Sequence, residues 1–187
     1  QDVTYTVTFT VPTTHTNLEG LVIDFCDSAS GPITGTACVA PTGFNVNEGS
    51  LALANNAEIA SLTIDAATDT NTLVLSNSTG DAVNALDTIS FDLGTSAAAD
   101  GITNPTSNGT FYARILTYTV DTTAAAYASA TPGAYVDDGG IALAIANELT
   151  IAARVQEQLQ FCVGTAEAGT DCTGVSGTAV SLGVVDS

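Results

Sequence analysis

Residues 3–11, Val-Thr-Tyr-Thr-Val-Thr-Phe-Thr-Val, alternate without a break. Val3, Tyr5, Val7, Phe9 and Val11 fall on one side, and Thr4, Thr6, Thr8 and Thr10 on the other. A two-residue period is that of an extended strand with one buried face. Threonine, being β-branched, suits the solvated face of a sheet. The pattern therefore demands a second layer to cover Tyr5, Val7 and Phe9. Similar signals recur along the chain at "LVIDFC" (21–26), "SLAL" (50–53), "IASLTID" (59–65), "TLVLS" (72–76), "DTISFDL" (87–93), "TFYARILTYTV" (110–120) and "IALAIA" (141–146). Between them stand Gly, Pro, Asn and Asp, the residues of turns. Short strands at such intervals predict an all-β fold, an Ig-like antiparallel β-sandwich over residues 1–153. In 110–120 both faces are apolar, which places that strand centrally. The alanine runs 97–99 and 124–126 are too short for more than a helical turn.

A longer stretch, "LTIAARVQEQLQFCV" (149–163), departs from this plan. Leu149, Ile151, Ala153, Val155, Leu159, Phe161 and Val163 share one face, interrupted only by Glu157. As one strand it would extend about 50 Å at ~3.3 Å per residue, well beyond the usual five to six residues. Ala152, Val155, Leu159 and Val163 also offer a partial helical face; the alternation favours the strand. By residue 153 the sandwich is already complete. The expected remainder, 154–187, is an extended strand and a return strand carrying Val180, Leu182 and Val184, an extra C-terminal hairpin. Isolated hairpins are marginal in water, so this one needs a partner surface. Either it begins a second β-domain or it completes the sandwich of a neighbouring copy.

Charge narrows the partners. The 187 residues include 20 acidic and only 2 basic side chains, Arg114 and Arg154, for a net charge of −18. Nothing here neutralises phosphates, which excludes nucleic acid and anionic membrane surfaces. No apolar run reaches the length of a membrane span. Gln1 leads straight into a strand and reads as a mature N-terminus after removal of a signal peptide. Cys26, Cys38, Cys162 and Cys172 form no C-x-x-C pair. Of three possible pairings we expect the two local ones, Cys26–Cys38 and Cys162–Cys172, each closing a turn-rich loop. Disulfides imply an oxidising, extracellular setting.

Little chemistry is available for catalysis. His15 is the one histidine and falls in the polar segment "PTTHTN", which predicts an exposed loop residue; no enzyme activity and no cofactor are expected. Calcium is the metal to consider, at Asp137 and Asp138 or at Asp65 and Asp69, although neither pair has EF-hand spacing. Glycan binding would fall to Tyr127 and Tyr135, with no tryptophan present. Asn77 and Asn108 each open an N-x-[ST] sequon.

"VTYTVTFTVP", "LVIDFCDSASGPITGTACVAPTGFNV", "GTFYARILTYT", "DDGGIALAIANELTIAARVQEQLQFCVGT" and "DCTGVSGTAVSLG" together resemble the secreted all-β surface proteins of small-genome candidate-phylum bacteria. The resemblance covers most of the chain and implies a cell-surface or filament-forming role rather than an activity. With the residue pattern it gives the expected function: a structural subunit of an extracellular, pilus-like filament or surface layer. The chain would be its own partner, a head-to-tail homopolymer joined by β-strand donation. The donated strand would carry Val155, Leu159, Phe161, Val163, Val180, Leu182 and Val184, with strand 3–11 as the other candidate. A monomeric adhesin or glycan-binding module is the alternative.

Overall fold

The computed structural model describes residues 2–47, 51–94, 101–146, 152, 154, 157–162 and 179–185. The chain divides into two compact units, Gln1–Asn147 and Glu148–Ser187.

The first unit is an antiparallel β-sandwich. Its strands are β1 (Asp2–Val3), β2 (Tyr5–Thr10), β3 (His15–Cys26), β4 (Leu53–Ala54), β5 (Thr63–Ile64), β6 (Thr72–Val83), β7 (Thr88–Leu93), β8 (Ile102–Thr103), β9 (Gly109–Tyr118) and β10 (Asp138–Ile145). One sheet has the order β10-β9-β3-β6-β5 and the facing sheet the order β2-β7-β4; β1 and β8 form a separate short ladder. Tyr5, Val7 and Phe9 pair in register with Leu93, Phe91 and Ile89 of β7, as the alternation of β2 requires. The inner faces meet in a core that includes Leu21, Ile23 and Phe25 of β3, Leu73 and Leu75 of β6, and Ile89, Phe91 and Leu93 of β7. A line of rings runs through it, with Phe25 and Phe44 at 4.6 Å and Phe44 and Phe111 at 6.0 Å between centroids.

The five-stranded sheet is apolar on its outer face too. Val22, Val74, Leu116 and Tyr118 pack there beneath Ala124 of a short helix, α1 (Asp121–Ala125), and beside Tyr127. This explains the two apolar faces of 110–120. It also explains Gly20, where a Cβ would stand 2.4 Å from the Ala124 Cβ; the glycine is there for close helix-to-sheet approach, not for a turn.

Three expectations are corrected. The segment 15–20 continues β3 instead of forming a loop, so His15 is 1% exposed and its Nε2 lies 2.9 Å from Asp137 Oδ2. The segment read as loop because its side chains, including Thr16 and Asn17, carry no apolar period. The pairing partner is the equally polar second half of β6, opposite His15 and Leu18 through Val83 and Asp81, with bulges between. Second, 149–163 is not one continuous strand: Ala152 and Arg154 lie outside any strand and are exposed. A strand needs a ladder partner for its backbone groups, and the described pairing of the second unit is confined to β11 (Glu157–Cys162) against β12 (Ala179–Val185), antiparallel with Glu157 opposite Val185. In the segment 59–65, Ile59 closes a 3-10 turn (Ala57–Ile59) and only Thr63–Ile64 is strand.

Candidate functional site

The sandwich is unevenly closed. The three-stranded sheet stops at β2, while the sheet facing it runs on through β9 to β10. Both β2 and β10 are edges, each with a ladder partner on one side only among the described residues. Between them lies a cavity of about 570 Å³, open to solvent. Its floor is core: Phe25 of β3 and Phe111, Ala113 and Ile115 of β9. A smaller cavity of about 130 Å³ continues it past Phe9 to Pro12, between the ends of the same two strands. The groove therefore follows the whole of β2.

Its walls show what is missing. Tyr5, Val7 and Phe9 face inward, yet each is only half buried, whereas Ile89, Phe91 and Leu93 beside them on β7 are fully buried. Across the gap Ile141 remains 49% exposed, and Leu143 and Ile145 are half buried. Apolar side chains at alternate positions on two facing edges, with nothing of the described chain between them, give the slot the apolar alternation that an added β-strand would match. The polar contribution is small. The Tyr5 hydroxyl donates to Asn104 Oδ1 at 2.6 Å, and burial raises its pKa, so the ring stays neutral at the groove end. On the outer surface the Thr6 hydroxyl donates to Asp92 Oδ1 at 2.7 Å, and Thr8 and Ser90 hydroxyls stand 3.0 Å apart. The Thr6 and Asn55 hydrogen bonds hold the Asp92 carboxyl below its ordinary pKa.

The opposite face of β9 is closed by the chain itself. Cys26 and Cys38 are joined, as expected. Arg114, fully buried, donates five hydrogen bonds into the enclosed loop: to Gly31, Ser30 and Thr36 carbonyls and the Thr36 hydroxyl, at 2.8–3.2 Å. Its guanidinium is 4.0 Å from Asp24 Oδ2. Asp24, also buried, accepts from Tyr127 Oη at 2.7 Å and from Asn71 and Thr72 at 3.2 Å. Burial pushes the Asp24 carboxyl above its ordinary pKa, while Tyr127, Thr72 and Arg114 pull it back. Tyr127 is thus a loop anchor, its own ionisation pushed up by burial and by Asp24. A buried arginine serving a turn leaves no periodic signature, and sequence reading missed it.

The other candidate residues are dispersed. Asp137 is engaged with His15 at the entry to β10, and Asp138 is an exposed strand residue. Asp65 and Asp69 bind backbone amides of their own turns, Ala67 for the first and Asn71 and Thr72 for the second. Asp24, Cys26 and Cys38 cluster closely, but the sulfurs are joined to each other and cannot ligate as thiolates. Asn77 lies in β6 with its Oδ1 accepting from the Thr79 amide; Asn108 is exposed just before β9, and Tyr135 is exposed. Leu159 and Phe161 fall in β11 and Val180, Leu182 and Val184 in β12. Cys162 ends β11, while Val155, Val163 and Cys172 lie outside the described residues. No described helix is long and apolar enough to cross a membrane. The groove itself was legible only in part: β2 and 141–146 read as strands, but not as edges that face each other across a gap. No family model matches the chain, and no curated protein or solved structure is significantly similar to it.

Proposed function

We propose that this chain is a structural subunit of an extracellular filament or surface layer, in which the β2–β10 groove of one copy accepts a strand from the C-terminal part of the next. The observation that carries this reading is the half-exposed inner face of β2 opposite Ile141, Leu143 and Ile145. Strand addition supplies backbone hydrogen bonds along the free edge and buries alternate side chains in the slot. A contact between two different surfaces of the same chain does not close on itself, so it propagates. It also needs no charge complementarity, which matters for copies that each carry −18. The Cys26–Cys38 disulfide supports the extracellular setting.

Negative-stain electron microscopy of the purified chain, with its solution mass across a concentration series, tests this. Regular filaments are expected for the wild type and only monomers for Val7→Asp, which puts a charge on the groove wall. Filaments that persist in Val7→Asp would remove the groove from the joint. A wild type that stays monomeric at every concentration would refute the assembly.

A further inference from the structure

Resting on that reading, we infer that the strand entering the groove is residues 149–155 of the neighbouring copy, laid antiparallel along β2 with Leu149, Ile151, Ala153 and Val155 turned inward. The hairpin strands are poorer candidates. β11 and β12 already pair with each other, and the apolar alternation of β11 includes Glu157, whose charge would be forced against Phe25 and Phe111 at a high desolvation cost. The segment 149–155 has four apolar residues in strict alternation, and its one charge, Arg154, falls on the other face. Between β10, which ends at Ile145, and β11, which begins at Glu157, the intervening chain can reach roughly 35 Å at ~3.3 Å per residue. Six residues of β2 need only about 20 Å.

Direction follows from the groove. The end of β10 (Leu143 to Ile145) lines the larger cavity with Thr4 to Phe9, and its start (Asp138 to Gly140) lines the smaller one with Phe9 to Pro12, so β10 and β2 run in opposite senses. A chain leaving Ile145 for its own groove would have to cross the ~10 Å between sheets and reverse within residues 146–148. It would then lie parallel to β2. A neighbour's segment is free to enter antiparallel, the slightly more stable ladder. Register follows from charge. Opposing Val7 to Ala153 sets Thr8 against Ala152 and Thr6 against Arg154, on the outer surface where Ala152 and Arg154 are exposed. Thr6 already binds the Asp92 carboxylate, so one of the two cations of the chain comes next to a carboxylate on the acceptor.

The test uses full-length chains: a donor variant, Ile151→Asp, and an acceptor variant, Val7→Asp, each checked for a native thermal transition. Each alone should be monomeric, and Ile151→Val should polymerise like the wild type. Mixed in equal amounts, the two charged variants should give a heterodimer that does not grow, because the acceptor variant still donates into the donor variant's intact groove. Mixing chains carrying Thr8→Cys or Ala152→Cys should give a disulfide between chains under mild oxidation. If the wild type polymerises and Ile151→Asp does so equally, the donor lies elsewhere and this inference falls while the filament reading stands. If a doubly substituted Thr8→Cys/Ala152→Cys chain bonds only within itself and the wild type is monomeric, both fall.

Discussion

The two flanks of β9 are built from the same kind of sequence and end differently. Toward β3 and the outer face, the chain brings its own cover: α1 and Tyr127 over Leu116 and Tyr118, and the disulfide loop drawn onto Arg114. Toward β10 none of the described residues does so, and Phe111, Ala113 and Ile115 floor an open slot. Apolar content does not separate the flanks. What separates them is whether polar anchors exist to hold a covering segment in place. Asp24, Arg114 and Tyr127 do so on one side; β2 and β10 offer only alternating apolar side chains and free backbone edges.

The sharpest way to break this contrast is to remove the anchor of the closed flank. Arg114→Met should cost about 3–5 kcal/mol, the scale for stripping one member from a buried ionic group, and urea unfolding should show it as a large fall in midpoint. A loss below ~1 kcal/mol would mean that the disulfide alone holds the loop. Next comes Gly20→Ala, which drives a methyl into Ala124 and should cost about 1–3 kcal/mol by overpacking, measured in the same way. On the open flank Val7→Ala should cost less than about 1 kcal/mol in the monomer, because the side chain is only half buried, far below the ~2–5 kcal/mol of a core truncation, yet it should lower the extent of assembly seen by light scattering. A core-sized loss of monomer stability would show that the slot is already filled. The smallest effect concerns pH. A carboxyl whose folded pKa is raised contributes its stability below its unfolded value, near 3.8 for Asp24, and loses it as pH climbs through the folded value. The stability of wild type relative to Asp24→Asn should therefore decline from pH 3.5 to pH 7; a gap that widens in favour of wild type would reverse the sign assigned to Asp24.

Much of the sandwich was legible because β2 and β7 alternate against one apolar core and β9 is apolar on both faces, local patterns that report a tertiary fact. The polar half of β6 and the start of β3 were illegible for the opposite reason. Their residues pair with each other through bulges, and Thr16, Asn17, Ser78 and Thr79 carry no apolar period to betray a strand. His15 was misplaced with them. The groove needed one further piece of information, the order of strands in each sheet, since an edge looks like any other strand until its neighbours are known. The stretch 149–163 contributed a hint in advance, through an apolar alternation longer than one strand of the sandwich requires.

The outward side of β2 has a practical consequence. Edge strands are commonly blunted by a lysine, a proline or an inward charge, and Tyr-Thr-Val-Thr-Phe-Thr carries none of these. A chain with this rim uncovered is a perishable form: an extended peptide can pair with its free backbone groups, so freshly made material should age, drifting with time and concentration toward irregular association.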